Sequence, residues 1–366
     1  MKVAIIHDWI TNFGGAERIV LELHKVFPEA PIYTSVYDEK KMKKYFKDID
    51  IRTSFIQKLP FAVKNYRYYL PLMPMAFEQF DLNEYDLVIS SSSCCAKGVN
   101  VNAKTLHICY CHTPMRYGWD MYNEYCKGNL VKKIIIASQI HKIRQWDRLS
   151  ADRVDYFIAN SNYVANRINK HYRRDAKVIY PAIRKQFYER KLDDSKEEKR
   201  AYLIVARLVP YKKVNIVIEA FNELGLPLKI VGNGPGKDKL MKMSNSNINF
   251  LENLSEEQLM KEYETCKSFV FMAEEDFGMV MAEAQAMGKP VIAYKAGGAS
   301  EIVIDGKTGI LFKEQSKESL ESAVLQMEQD YEKFKSAEIR ENAQKFNEEE
   351  FLKAIQGFIN EKMKEE

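Results

Sequence analysis

Short runs of consecutive apolar residues alternate with longer amphipathic stretches along most of this chain. The runs predict nine β-strands, at residues 2–7, 86–90, 106–111, 156–159, 202–206, 228–231, 248–251, 269–272 and 291–293. Several runs are apolar at consecutive positions, which is typical of parallel strands covered on both faces. The stretches between them, most clearly residues 16–27 and 214–224, have the spacing of amphipathic helices. The alternation therefore predicts an α/β fold with doubly wound parallel sheets.

The alternating pattern starts twice, at residue 2 and again at residue 202, and 366 residues are too many for one ordinary core. We predict a first domain at 1–182 and a second at 183–349, with a hinge near Pro181 and a solvated charged loop at 193–199. Residues 316–366 are expected to be helical, and a helix near 350–366 could pack back onto the first domain. Two such domains would leave a ligand-binding cleft between the carboxyl ends of their sheets.

Composition and charge exclude several classes of protein. The chain is 46% hydrophobic and 29% charged, and its net charge of +4 is too balanced to indicate a nucleic-acid binder. Its six cysteines form no C-x-x-C pair, so we expect neither a zinc site nor disulfides, and we expect a cytoplasmic location. We expect no signal peptide, because the apolar run at the N-terminus is short, and no membrane-spanning helix, because no run of about 18 apolar residues occurs.

The stretch AEEDFGMVMAEAQAMGKPVIAY, residues 273–294, places acids and a glycine at the start of an apolar helix. Glu275 lies in the loop after a strand, Phe277 and Gly278 follow at the turn, and Glu283 lies one turn inside the helix. The free backbone N–H groups of Gly278, Met279 and Val280 would attract a phosphate. Carboxylates on either side would accept hydrogen bonds from sugar hydroxyls. Alternatively, both glutamates simply favour the start of a helix.

Basic side chains follow the first strand of the second domain, in VARLVPYKKV at residues 205–214. Arg207 and Lys212 together suit a pyrophosphate and would stabilise the charge that develops on it as it leaves. A solvated basic loop is the alternative.

Two weaker signals lie in the first domain. Gly14 and Gly15, in HDWITNFGGAER, would let the backbone approach a ligand closely before a helix, although such a pair usually marks only a turn. His112, in CYCHTPMRYGWD, follows a strand where the cleft is expected, although a lone histidine is more often structural.

The stretch KIVGNGPGKDKL, residues 229–240, partly matches a dinucleotide fingerprint through Gly232, Gly234 and Gly236, with Glu252 as the ribose-binding acid. Two residues depart from the fingerprint: Lys237 occupies the position of its third glycine, and Pro235 lies inside the turn. We therefore interpret Gly232 and Asn233 as part of a loop that approaches a nucleotide base.

The sequence also contains an Asp-x-Asp, Asp48 and Asp50, which binds a metal in some glycosyltransferases. It lies in a charged, surface-like run, so we interpret it as accidental and predict no metal.

In combination, these motifs resemble the family 4 retaining glycosyltransferases of the GT-B fold, in which two Rossmann-like domains face each other across a cleft. The family's E-x7-E pattern is met by Glu275 and Glu283, and its R-x4-K pattern by Arg207 and Lys212. Its F-G, glycine loop and histidine are met by Phe277-Gly278, Gly14-Gly15 and His112, in the family's order.

The resemblance implies a role for each position. Arg207 and Lys212 would hold the diphosphate, Glu283 the ribose hydroxyls, and Glu275 and His112 the donor sugar. Residues 278–280 would donate backbone N–H groups to the phosphates, and Gly15 would let the first loop close over them. No metal or other cofactor is implied, because side-chain charge would replace it.

A narrower resemblance, in HDWITNFGGAER, CHTPMRYGWDMY and EEDFGMVMAEAQAMGKPVIAY, is to mannosyltransferases of O-antigen and exopolysaccharide assembly. It implies GDP-mannose as the donor and a lipid-linked saccharide as the acceptor. Alternatives are the same reaction with a UDP-sugar, an NAD-binding oxidoreductase, and a saccharide-binding protein without catalytic activity.

Two segments of the first domain combine basic with aromatic or aliphatic residues, at 55–77 and 131–146. Such surfaces can lie on anionic membranes, so we predict peripheral contact with the inner face of the cell membrane. The alternative is that the apolar residues belong to the core and the bases form a solvated face.

Overall fold

The computed structural model describes residues 1–126, 129–192 and 200–365. It divides into two compact units, Met1–Tyr180 with Phe351–Glu366, and Pro181–Glu350. The charged loop expected at 193–199 falls outside the described residues.

The first unit contains a seven-stranded sheet of parallel strands in the order β3-β2-β1-β4-β5-β6-β7. Its strands are β1 Val3–His7, β2 Ile32–Thr34, β3 Ile51–Thr53, β4 Leu87–Ser92, β5 Leu106–Cys111, β6 Tyr156–Ala159 and β7 Ala176–Val178. The sequence predicts β1, β4, β5 and β6. It misses β2, β3 and β7 because three residues are too few to show a periodic pattern.

Helices connect these strands and give the first unit its layers. Their bounds are α1 Gly15–Val26, α2 Glu39–Met42, α3 Ala62–Asn65, α4 Met73–Glu78, α5 Tyr122–Tyr125, α6 Leu130–Ser150 and α7 Asn162–Tyr172. All residues of β1, β4 and β5 are buried, as the consecutive apolar residues of the sequence predict for strands covered on both faces.

The second unit contains a six-stranded parallel sheet in the order β10-β9-β8-β11-β12-β13. Its strands are β8 Tyr202–Val205, β9 Leu228–Val231, β10 Ile248–Leu251, β11 Phe269–Phe271, β12 Val291–Tyr294 and β13 Gly309–Phe312. All but β13 are predicted from the sequence. The prediction of doubly wound parallel α/β sheets is therefore confirmed in both units.

The helices of the second unit are α8 Lys185–Glu189, α9 Val214–Leu224, α10 Lys237–Lys242, α11 Glu256–Thr265, α12 Met279–Ala286, α13 Ala299–Ile302, α14 Lys317–Asp330 and α15 Ser336–Ala343. The apolar helix predicted within residues 273–294 corresponds to α12, and Gly288 follows it in the left-handed conformation that commonly ends a helix. The last helix, α16, spans Glu348–Glu365, and its residues from Phe351 onward belong to the first unit. Phe351 packs edge-on against Tyr110 there.

A buried ion pair lies in the core of the first unit. Lys97 and Asp147 form a salt bridge with side chains only 1% and 0% exposed. Trp119 Nε1 donates a hydrogen bond of 2.7 Å to Asp147 Oδ2, and the Tyr172 hydroxyl donates to the same carboxylate at 3.0 Å. Because the charges are paired and hydrogen-bonded, the core tolerates them, and removing one would leave the other uncompensated.

None of the helices in the described part of the chain combines the length and the apolar character needed to cross a membrane.

We predict that Lys97→Met destabilises the protein strongly, since it leaves the Asp147 carboxylate buried without its cation. The free energy of unfolding should fall by about 3–5 kcal/mol, measured by urea titration followed by circular dichroism. Lys104→Met, at an exposed position of the same unit, is the control and should change it by about 0.5 kcal/mol at most. Equal stability of the two variants would contradict the prediction.

Candidate active site

The strand order of the second unit reverses between β8 and β11, so the loops after these strands diverge at the carboxyl edge of the sheet. Ligands bind at such switch points in open α/β sheets. The loop after β8 carries Arg207 and Lys212, and the loop after β11 carries Glu275. Residues that are 63 or more positions apart in sequence thus belong to neighbouring loops.

Lys212 and Glu275 form an ion pair in this loop cluster. Lys212 Nζ lies 2.6 Å from Glu275 Oε1, and the side chains are 13% and 19% exposed. The ammonium also lies 5.4 Å from the centre of the Phe271 ring. Arg207 is exposed. The structure therefore brings the predicted phosphate-binding lysine and the predicted sugar-binding glutamate into direct contact.

Helix α12 begins directly after this loop. Gly278 precedes it at φ 99°, a conformation that favours glycine. The amide groups of Met279 and Val280 lie in its first turn, where no preceding helical carbonyl can accept from them. Phe277 is buried, and its ring packs edge-on against Phe346. This aromatic contact therefore holds the predicted phosphate-binding turn in place.

Glu283 lies on the same helix and is 5% exposed. The hydroxyl of the fully buried Tyr263, on α11, donates a hydrogen bond of 3.0 Å to Glu283 Oε2. A carboxylate held this way is oriented before any ligand arrives.

The glycines of residues 232–236 pack against the backbone of the loop after β8. Gly232 has φ 151°, and a Cβ atom there would lie 1.9 Å from the Ala206 carbonyl oxygen. A Cβ on Gly234 would lie 2.5 Å from the Leu208 carbonyl oxygen. Backbone hydrogen bonds join the loops as well, from Leu208 N to the Asn233 carbonyl and from Gly236 N to the Leu208 carbonyl, both 3.0 Å. Close contact with the neighbouring loop therefore requires these glycines, irrespective of any dinucleotide.

The helix and the acidic residue that a dinucleotide fingerprint requires are also unlike those of a dinucleotide site. Helix α10 has only six residues, and Glu252, the residue expected to bind ribose in that alternative, pairs with Lys237. Asn233 is exposed at the tip of the loop, and its Oδ1 accepts a hydrogen bond from Gly234 N.

A second glycine contact supports the Glu275 loop and was missed in the sequence. Gly298 N donates a hydrogen bond of 2.9 Å to the Glu275 carbonyl. A Cβ on Gly297, at φ 56°, would lie 2.1 Å from the same carbonyl oxygen. The stretch YKAGGAS at 294–300 showed a glycine pair, but nothing in the sequence alone indicated which loop it contacts.

The first unit has its own switch point, between β1 and β4. Asp8, directly after β1, accepts hydrogen bonds from the backbone N–H groups of Ser93 at 2.6 Å and of Cys95 and Ala96 at 2.8 Å. This carboxylate thereby joins the loops on the two sides of the switch point.

Gly14 and Gly15 lie at the start of α1, in the loop that Asp8 begins. Gly14 N donates a hydrogen bond of 2.9 Å to Glu17 Oε2, and Phe13 stacks on Tyr45 with ring centres 3.8 Å apart. The glycine loop is thus fixed on both sides of Gly14.

His112 follows β5, the neighbour of β4, and is linked to the glycine loop through buried side chains. His112 Nε2 lies 2.7 Å from Ser91 Oγ, which lies 3.1 Å from His7 Nδ1. On the far side of the His7 ring, Nε2 lies 3.8 Å from Glu17 Oε1. His7, Ser91 and Glu17 were not predicted as site residues, although His7 and Glu17 belong to the stretch HDWITNFGGAER.

Burial lowers the pKa of His112 to about 3, and the nearby His7 acts in the same direction, so the ring is neutral at physiological pH. Burial also disfavours the charged form of His7, but Glu17, Asp8 and the Ser91 carbonyl outweigh it, and its pKa is raised. The two histidines therefore differ in charge preference although they share one serine.

The Asp-x-Asp motif lies apart from these loops. Asp48 and Asp50 are both exposed, and Asp50 forms a salt bridge with Arg52 at 2.8 Å. Within the described residues, no group of three or more His, Cys, Asp or Glu side chains is arranged to hold a metal ion.

Both units match known protein families. Residues 13–187 match the family described as Glycosyltransferase Family 4, and residues 186–346 match that described as Glycosyl transferases group 1. The chain spans about half the length of the first curated relatives it matches, glycosyltransferases of Methanocaldococcus jannaschii.

Several relatives are named as mannosyltransferases, among them two from Dictyostelium discoideum and Mycolicibacterium smegmatis. The alpha-1,3/1,6-mannosyltransferase ALG2 of Dictyostelium discoideum is 22% identical, with 85% of this chain and 86% of that protein covered. The GDP-mannose-dependent alpha-(1-6)-phosphatidylinositol monomannoside mannosyltransferase of Mycolicibacterium smegmatis is 31% identical over 33% of this chain and 36% of that protein.

Among solved structures, Anabaena HepE in complex with UDP-glucose has a TM-score of 0.71 at 19% identity, with 99% of this chain and 100% of that chain covered. At that identity the likeness shows the fold, which is GT-B. Together, the two family matches and the fold show that the chain belongs to the family 4 glycosyltransferases.

Proposed function

We propose that this protein is a retaining hexosyltransferase that transfers mannose from GDP-mannose to a lipid-linked saccharide in bacterial surface polysaccharide assembly. The observation that carries the proposal is the contact between Lys212 and Glu275 at the switch point of the second unit, next to the first turn of α12. This cluster offers a cation, a carboxylate and free amide donors together. A sugar nucleotide needs all three.

The diphosphate would be held by Arg207, Lys212 and the amide groups at residues 278–280. When the bond between the sugar and the diphosphate breaks, negative charge grows on the departing phosphate oxygen. The guanidinium, the ammonium and the helix N-terminus would stabilise that charge, which is the task a divalent cation performs elsewhere. We therefore propose that the reaction needs no metal.

The sugars of the donor would be held by carboxylates and a histidine. Glu283, oriented by Tyr263, would accept hydrogen bonds from the ribose hydroxyls. Glu275 and His112 would bind hydroxyls of the transferred hexose. The acceptor hydroxyl would attack on the face that the diphosphate leaves, and a phosphate oxygen of the donor would take its proton, so the anomeric configuration is retained.

Mannose is favoured by relatives named as mannosyltransferases, and guanosine by a relative named as GDP-mannose-dependent. A UDP-sugar is the second candidate, because HepE, which shares the fold, was solved with UDP-glucose. We place NAD last, since close packing of the loops accounts for the glycines of residues 232–236.

We predict that GDP and GDP-mannose raise the melting temperature of the protein, whereas UDP, UDP-glucose and NAD do not, because a ligand that binds only the folded state stabilises it. Lys212→Met should abolish the shift and lower the rate of mannosyl transfer by about 10²–10³-fold. Lys229→Met is the matched control, since Lys229 forms an ion pair of similar length with Glu262, 2.7 Å, away from the site. Transfer should survive EDTA.

Each other outcome points to a different function. Stabilisation by UDP compounds alone would replace the donor and keep the enzyme class. Stabilisation by NAD alone would favour the oxidoreductase. Binding of a sugar nucleotide without transfer to any acceptor would favour a saccharide-binding protein. Equal loss in the Lys212 and Lys229 variants would contradict the assigned role of Lys212.

The acceptor side of the proposal rests on an exposed surface of the first unit, which we call the basic apolar surface, within residues 55–77. Phe61 and Tyr68 are 79% and 83% exposed, and Leu72 and Met75 are also exposed. Lys58, Lys64 and Arg67 are exposed among them, and residues 51–77 contain no acid. Cations interleaved with unburied apolar side chains complement an anionic lipid surface.

The second basic segment shows the same character. On α6, Leu130, Ile134 and Ile135 are exposed, next to the exposed Lys133. Residues 129–146 contain no acid either. We therefore propose that the protein works at the inner face of the membrane, where a lipid-linked acceptor would be anchored.

We predict that the protein sediments with vesicles containing anionic phosphatidylglycerol at low salt and is released at high salt, because the attraction between charges is screened. Phe61→Ser combined with Tyr68→Ser should weaken binding severalfold. Leu325→Ser, at an exposed apolar position of the second unit, is the control and should leave binding unchanged. Failure of the wild-type protein to sediment at low salt would contradict membrane contact.

A further inference from the structure

The proposed function uses His112 but gives no task to the buried side chains behind it. Ser91 Oγ lies between two histidines, 2.7 Å from His112 Nε2 and 3.1 Å from His7 Nδ1. His7 Nδ1 also lies 3.1 Å from the carbonyl oxygen of Ser91. His7 and Ser91 are 2% and 0% exposed, so solvent does not substitute for these contacts.

The direction of each hydrogen bond follows from the carbonyl. A carbonyl oxygen only accepts, so His7 Nδ1 must carry a hydrogen and donate it toward Ser91. The Ser91 hydroxyl then faces a donor on the His7 side and has its own hydrogen free for the nearest acceptor, His112 Nε2. A neutral His112 that accepts at Nε2 carries its hydrogen on Nδ1.

We propose that Ser91 and His7 are positioning residues that hold neutral His112 with its hydrogen on Nδ1, which makes His112 a hydrogen-bond donor toward the transferred sugar. The sugar as its target rests on the proposed function. The tautomer does not, since it follows from the contacts within the first unit. The Nδ1 atom of His112 makes no hydrogen bond to any other described residue, so this donor is available to a ligand.

Further contacts support this assignment. The pKa of His112, lowered to about 3 chiefly by burial, keeps its ring neutral, while the raised pKa of His7 favours a ring with hydrogens on both nitrogens. The Asn160 side chain donates a hydrogen bond of 3.0 Å to the His112 carbonyl and fixes its backbone. Glu17 faces His7 Nε2 and accepts a hydrogen bond from Gly14 N. Glu17 therefore connects the glycine loop to His7, and through His7 to Ser91 and His112.

Strand β4 offers a matched control at Ser90, one residue before Ser91. Ser90 Oγ lies 2.8 Å from His107 Nε2, and both residues are fully buried. Successive residues of a strand point to opposite faces of the sheet, so this pair lies on the other face from Ser91. Ser90→Ala therefore removes a similar serine–histidine contact without touching His112.

The tautomer can be measured directly by NMR. The chain has six histidines, so ¹⁵N-histidine labelling and one substitution per histidine assign the ring signals. We expect His112 to carry its hydrogen on Nδ1 in the wild-type protein and to shift toward Nε2 in Ser91→Ala. Ser90→Ala and His7→Asn, which keeps an N–H group near Nδ1, should leave the His112 signals unchanged. A wild-type His112 with its hydrogen on Nε2 would overturn the inference.

Kinetics then test whether Ser91 acts through His112. Ser91→Ala should lower kcat/KM for the sugar nucleotide about tenfold, roughly the effect of one neutral hydrogen bond. In a His112→Ala background the same change should have no further effect, because its only route to the sugar is gone. An equal loss in both backgrounds would mean a merely structural role and would overturn the positioning role.

The NMR and kinetic experiments together separate this inference from the proposed function. If His112→Ala leaves transfer unchanged while the spectrum shows hydrogen on Nδ1, then the sugar-binding role of His112 is wrong and the tautomer stands. If no sugar nucleotide binds at all, the NMR result still decides whether Ser91 sets the tautomer of His112. Folding of each variant is checked by its thermal unfolding.

Discussion

Each sheet of this protein consists of parallel strands whose order reverses once, and that reversal determines where chemistry can be placed. Parallel strands end at the same edge, and the loops that leave two neighbouring strands in opposite directions cannot cover the space between them. In the second unit the reversal lies between β8 and β11, and in the first between β1 and β4. In the second unit, the loops at this point carry Lys212 and Glu275. In the first unit, they carry Asp8 and the residues after Ser92.

The two switch points use charge in different ways. In the second unit, Lys212 and Glu275 are partly exposed and thus ready for a polar ligand. In the first unit, the Asp8 carboxylate already accepts hydrogen bonds from backbone N–H groups, His7 is buried and His112 is partly buried. The first unit therefore holds its backbone and rings in fixed positions, whereas the second presents side-chain charges.

The sequence was sufficient for the repeated α/β pattern, because strands buried on both faces are apolar at consecutive positions. It was insufficient for strands such as Ile32–Thr34, which are too short for a pattern and are placed by pairing with neighbours. Family spacing located Glu275, Glu283, Arg207 and Lys212, and the assignment of their roles stays a prediction. Ser91 and Tyr263 carry no local signal, because each matters only through a residue distant in sequence.

The glycine-rich loop shows how a motif can mislead. The closely spaced Gly232, Gly234 and Gly236 partly match a dinucleotide fingerprint, but a Cβ atom at Gly232 or Gly234 would collide with a neighbouring carbonyl. Glycine is required wherever a backbone comes close to something, and the sequence does not say whether that is a ligand or another loop.

The ion pair between Lys212 and Glu275 has a consequence for turnover. Without a ligand, the two side chains neutralise each other. If Lys212 binds the diphosphate as proposed, Glu275 loses its cation and needs another partner. An intact sugar nucleotide supplies hydroxyl groups to Glu275, whereas the nucleoside diphosphate left after transfer does not. The spent nucleotide would therefore compete with Glu275 for the lysine, and the site would favour release of its product over retention.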